Sequence, residues 1–122
     1  MIKVYSDLRI YKKSYEQSIK IHLLTQRYPS YERYEIGSQL RRAAVSIPLN
    51  IAEGYGKKES DAEFKRFLRI ALGSNNEVKV LLDMSYDLKY IDKEEYEKLK
   101  EENETLGRQI YMTIKKWQRS DI

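Results

Sequence analysis

At 122 residues the chain fits one domain with a single core and leaves little room for a second. It contains no cysteine, which removes disulfides, thiolate metal sites and a cysteine nucleophile, and no apolar run of signal-peptide or membrane-spanning length, so a soluble cytoplasmic protein is expected. The net charge of +4 is modest but uneven: residues 1–60 carry 11 Lys/Arg against 6 Asp/Glu, residues 61–122 carry 12 against 13, and the acids gather in 92–104, so positive potential belongs to the middle of the chain.

With few glycines, two prolines and no period-two alternation, every segment reads as helix. The first is expected over about 6–28, burying Leu8, Tyr11, Tyr15, Ile19 and His22 or Leu23, and ending before Pro29, whose ring disfavours helical geometry in Tyr28. Ser30 is placed to cap the second, about 31–54, whose inner face is Leu40, Ala44, Ile47 and Ile51. Pro48 lies inside it and removes the donor for the Ala44 carbonyl, which predicts a kink or a broken turn near 44–48.

The third helix, about 60–89, opens with the capping box Ser60-Asp61-Ala62-Glu63 and turns Phe64, Phe67, Leu68, Ala71, Asn75, Val78 and Leu82 inward. The fourth, about 92–118, opens with the related Asp92-Lys93-Glu94-Glu95 and places Tyr96, Leu99, Asn103, Leu106, Ile110, Ile114 and Trp117 three and four apart. Short links favour antiparallel neighbours, so the expected fold is all-α: one domain over 1–122, an up-down-up-down four-helix bundle.

Apolar residues also lie off these faces: Val45 and Leu49 on the second helix, and Ile70, Gly73, Leu81, Met84 and Leu88 on the third. A small bundle has no second core in which to bury them, so a homo-oligomer is expected with these two helices at its interface.

The central stretch "EGYGKKES", residues 53–60, has the glycines and lysines of a phosphate loop. A phosphate loop needs G-x-x-x-x-G-K-[ST] between strand and helix, whereas Gly54 and Gly56 are two apart and helix precedes them; it reads as a helix-to-helix turn whose glycines relieve backbone strain. The lone histidine, His22, has no glutamate three residues before it, so no di-iron pattern exists, and no strained elbow presents Ser46 or Ser74 to it. His22 is expected as a packed or interfacial residue. Glu53 and Glu77 interrupt small or apolar surroundings and are expected to pair with Arg41, Arg42, Arg66 or Arg69. No catalytic residue, metal or cofactor is assigned.

The basic residues carry the functional expectation. Lys65, Arg66 and Arg69 share a sector of the third helix, Lys57 and Lys58 precede them, and Arg41 and Arg42 extend the surface from the second. Such a patch neutralises phosphates, an oligomer repeats it, and Tyr28, Tyr31, Tyr34 and Tyr55 are candidate stacking platforms. No base-reading code accompanies it, so weak sequence selectivity is expected.

"QLRRAAVSIPLNIAEGYG" (39–56) with "FKRFLRIALGSNNEVKVLL" (64–82), "DLRIYKKSY" (7–15) and "YPSYERYEIGSQL" (28–40) closely resembles the 23S rRNA intervening-sequence proteins. Their relatives include the accessory variability determinant of diversity-generating retroelements. The resemblance implies a bacterial four-helix bundle, homopentameric with a positive surface along its axis, binding nucleic acid and, in retroelements, a reverse transcriptase. It implies no catalytic activity. Within the matching positions Arg41 and Arg42 read as phosphate contacts, and Pro48, Asn50, Glu53, Gly54 and Glu77 as kink, turn and packing residues. Tyr55, Lys57 and Asn75-Asn76 depart from the family pattern. The expected function is thus a non-enzymatic nucleic-acid-binding oligomer, with a protein adaptor docking an acidic partner as the alternative.

Overall fold

The computed structural model describes residues 2–118. Among them are four long helices and no strand: α1 (Arg9–Thr25), the single turn α2 (Ser30–Arg33), α3 (Ile36–Tyr55), α4 (Asp61–Asp87) and α5 (Lys93–Lys116). A 3-10 turn at Tyr5–Asp7 precedes them.

Helix α1 stops three residues short of the expected end. The Arg27 and Tyr28 N–H groups donate to the Leu24 and Thr25 carbonyls, three residues back, and this tight turn buries Tyr28 against the Tyr90 ring with centroids 5.3 Å apart. Its buried stripe also differs from the expected one. Ile10, Ser14, Gln17, Ile21 and Leu24 point inward, whereas Tyr15, Ile19, His22 and Leu23 are exposed. Small and hydroxylic side chains let α1 pack closely: Ser14 and Thr25 donate to carbonyls of their own helix, at Tyr11 and His22, so their burial leaves no hydroxyl unpaired.

The second predicted helix is two pieces. Glu35, at φ −109° and ψ −100°, is not helical, so the one-turn α2 is separated from α3, and Ser30 lies within α2 with no capping bond from its side chain. Arg41 bridges the break, its Nη2 donating to the Arg33 carbonyl and its Nη1 to Thr25 Oγ1, both at 2.9 Å. Beyond it α3 is continuous through Pro48, so the expected broken turn does not occur, and the ring is buried in the helix packing.

Helices α4 and α5 begin where their caps predict. Ser60 Oγ accepts from the Glu63 N–H at 3.2 Å and Asp92 Oδ1 from the Glu95 N–H at 2.8 Å. Only that half of each box forms, because the glutamates turn to arginines: Glu63 to Arg66, Glu95 to Arg27. The inner faces of α3, α4 and α5 are the expected ones, centred on Leu40, Ile47, Ile51, Phe64, Leu68, Leu82, Leu106 and Ile110. Burying each such side chain contributes about 1.5–3 kcal/mol relative to exposure.

Helix α1 packs on α3 and α5, and α4 on α3 and α5, so chain neighbours are also spatial neighbours. Contacts run in opposite directions along each pair: Ser46 meets Ser74 and Gly54 meets Phe67, while Asn75 meets Asn103 and Asp83 meets Tyr96. The result is an up-down-up-down bundle. Its α1–α5 seam carries polar pairs, Lys20–Glu102, Arg27–Glu95 and the buried Gln17–Asn103.

Candidate functional site

The turn joining α3 to α4 is set by a close helix approach. A Cβ on Gly54 would lie 2.6 Å from Phe67 Cβ, so only glycine lets α3 end against the first turn of α4. Neither Gly54 nor Gly56 has positive φ, which corrects the expectation that these glycines relieve backbone strain. Phe64, Tyr55 and Trp117 close this end of the bundle edge to face, with the Phe64 and Trp117 centroids 4.7 Å apart.

Cations dress that end. Lys57 Nζ and Arg66 Cζ lie 5.9 and 4.5 Å from the Phe67 ring centroid, and Lys58 Nζ lies 4.3 Å from that of Tyr55. Arg66 also bonds Glu63 (Nε to Oε2, 3.0 Å); hydrogen bonding and charge from Arg66 hold the Glu63 carboxyl below its ordinary pKa, and Glu63 raises that of Arg66. Lys57, Lys58, Lys65 and Arg69 have no carboxylate partner among the described residues. Glu53, Glu59, Asp61 and Glu63 interleave with these five cations, so residues 53–69 carry a net charge of only +1.

The other two arginines part company. Arg41 is half-buried and committed to Thr25 and Arg33, so it serves the fold instead of the expected phosphate surface. Arg42 is exposed, in a shallow groove that Arg41 also lines, with His22 of α1 and Val45, Ser46, Leu49, Asn50 and Glu53 of α3. Asn50 donates to the Ser46 carbonyl and hydroxyl, and Ser46 shares a 2.9 Å hydrogen bond with Ser74, which ties α3 to α4 and engages both serines away from His22. Glu53 and Glu77 are exposed and form no ion pair with an arginine among the described residues, contrary to expectation, although the Glu53 charge helps to raise the Arg66 pKa. No group of three His, Asp or Glu side chains stands together among the described residues.

Lys65 and Arg69 belong with α5. The α4 positions 65, 69, 72, 76 and 79 recur every three or four residues on one side of the helix, and Leu72, Asn76 and Lys79 of that stripe line a groove of about 520 Å³ against Glu104, Gly107, Arg108, Tyr111 and Met112 of α5. The antiparallel register carries Arg69 to the level of Tyr111 and Lys65 to that of Lys115. Arg108, Tyr111 and Lys115 are the residues that sequence reasoning missed. Their 108-111-115 spacing is visible in the sequence, but only the register shows that it faces 65-69.

Leu81 is buried in the core, which removes it from the expected interface, whereas Leu49, Ile70, Gly73 and Met84 are exposed and Val45 is half-buried. Ile70, Gly73, Glu77, Val80, Met84 and Leu88 follow one another at three- and four-residue steps along the outer side of α4, all exposed. Tyr15 and Ile19 of α1 form with Val45, Pro48 and Leu49 of α3 a second, mainly apolar groove of about 260 Å³. Of the tyrosines considered as platforms, Tyr28 and Tyr55 are buried, and Tyr31 and Tyr34 are exposed.

A sequence model described as 23S rRNA-intervening sequence protein matches residues 6–112. Among solved structures, the chain is similar to a crystal structure of a protein with unknown function from the S23 ribosomal protein family of Bacteroides thetaiotaomicron. The two are 27% identical with a TM-score of 0.76, over 87% of this chain and 98% of that one. No curated protein matches.

Proposed function

The chain belongs to the 23S rRNA-intervening sequence protein family, and from that premise we propose a non-enzymatic cytoplasmic bundle that assembles with copies of itself and holds nucleic-acid backbone on a basic surface, with little sequence selectivity. The observation that carries this reading is the set of cations without carboxylate partners among the described residues in the α3–α4 turn and the start of α4, Lys57, Lys58, Lys65 and Arg69, with Arg66 beside them. Phosphate neutralisation by such groups releases counterions, so affinity falls steeply with salt. The exposed α4 stripe supports self-assembly, and the family resemblance makes five the expected number of subunits.

A second reading is favoured by Ile70 and Gly73, exposed about one and two turns beyond Arg66. A surface both basic and apolar suits docking on an acidic protein, for example a reverse transcriptase, without contact to nucleic acid.

The test is a titration of fluorescent single-stranded RNA and duplex DNA at several salt concentrations, native protein against Arg66→Glu/Arg69→Glu, with oligomer mass measured in parallel. The expected result is steeply salt-dependent binding that the double substitution abolishes at unchanged mass. An intact oligomer that binds neither polymer at low salt overturns the nucleic-acid reading and leaves protein docking.

A further inference from the structure

We propose that the groove between α4 and α5 is a site for single-stranded polynucleotide, with Tyr111 stacking on a base and the cations of both helices holding the flanking phosphates. This narrows the nucleic-acid reading above and rests on it.

The groove has a cation on each wall, Lys79 on α4 and Arg108 on α5. Helix spacing and the antiparallel register continue the walls beyond the groove itself, with Lys65 and Arg69 on α4 and Lys115 on α5. Glu104, the one carboxylate among the groove-lining residues, lies 3.8 Å from Lys79 and, of the groove's cations, forms an ion pair with that lysine. Arg108 donates only to the Thr105 hydroxyl of its own helix, and Lys65, Arg69 and Lys115 have no carboxylate partner among the described residues. From Lys65 to Lys79 the wall runs about 21 Å at 1.5 Å per residue, long enough for several nucleotides.

An aromatic face lies within it. Tyr111 is 50% exposed, and the Lys115 ammonium hovers 5.7 Å from its centroid. The exposed part of the ring offers a π face to a base, and a weak cation–π contact is readily exchanged. When a base takes the ring face, Lys115 is displaced toward the backbone, where it meets a phosphate.

The floor lies below these walls. A Cβ on Gly107 would sit 2.8 Å from Asn75 Nδ2, so the glycine lets the two helices come together at their carboxamides. A duplex keeps its base faces inside the stack, so Tyr111 has a partner only in a single strand. Every base presents a π face, so the site is tolerant of sequence.

Labelled oligo-U and oligo-dT of about 12 nucleotides, within the span of known single-strand sites, and a duplex of equal length are titrated against the native protein, Tyr111→Ala, Tyr111→Phe and Arg69→Gln/Lys115→Gln. Circular dichroism confirms that each variant is folded. The expected results are tighter binding of single strands than of duplex by the native protein, and about tenfold or greater weakening for Tyr111→Ala with its salt slope unchanged. Tyr111→Phe should stay near native, and Arg69→Gln/Lys115→Gln should show a shallower salt slope.

Single-strand affinity undiminished in Tyr111→Ala, or a native preference for duplex, overturns the groove assignment while salt-dependent binding by the native protein keeps the broader reading. Absence of any polynucleotide binding at low salt overturns both.

Discussion

Lys89 is the only described non-glycine residue with positive φ, at 66°. It follows the end of α4, where its own N–H donates to the Tyr86 carbonyl and that of Tyr90 to the Ser85 carbonyl, the two bonds of a Schellman turn. A lysine pays for its Cβ in this left-handed position, whereas glycine does not. Lys89→Gly should therefore raise stability by about 0.5–1 kcal/mol despite the added freedom of the unfolded chain, read as a higher denaturation midpoint; an unchanged or lower midpoint contradicts it. The same scale separates Arg41 from Arg42. They are adjacent in sequence and equally charged, yet one is spent on Thr25 and Arg33 and the other faces solvent.

Two glycines distinguish the inner side of one helix from the outer side of another. Gly54 on α3 has no room for a methyl group beside Phe67, and Gly73 on α4 has nothing within 4 Å of its position. Gly54→Ala should cost about 1–3 kcal/mol, because backbone or a buried ring has to shift. Gly73→Ala should add up to about 1 kcal/mol of helix stability in the monomer, because alanine is the better helix former. Urea midpoints of the two variants check the contrast, and a neutral Gly54→Ala would refute the close approach. The α1 helix shows how an element can mislead. Its apolar Tyr15, Ile19 and Leu23 form a convincing inward stripe, but the stripe that the bundle buries mixes Ser14, Gln17, Ser18 and Thr25 with Ile10, Ile21 and Leu24.

At the scale of the whole molecule, apolar exposure has a direction. The outer side of α4 and the α1–α3 groove are apolar, whereas the α1–α5 seam is polar, with the two surface ion pairs contributing at most about 1 kcal/mol each. If self-assembly uses the α4 stripe, Ile70→Glu/Met84→Glu should lower the solution mass to that of a monomer while helical content is retained. A mass unchanged by both charges removes that stripe from the interface. The basic walls of the α4–α5 groove lie on another side of the same helix, so this double substitution tests assembly without altering Lys65, Arg69 or Tyr111.

The four long helices, the starts of α4 and α5, and the inner faces of α3, α4 and α5 were legible in the amino-acid sequence, since caps and three- to four-residue spacing are local and act before any tertiary contact. The five cations from Lys57 to Arg69 were legible for the same reason. The facing of α1, the break at Glu35, the inward use of Arg41, the burial of Leu81 and the partnership of Lys65 and Arg69 with Arg108, Tyr111 and Lys115 were decided by tertiary structure. Each depends on which neighbouring helix a side meets and in what register, and periodicity, which fixes angles within one helix, contains no information about either.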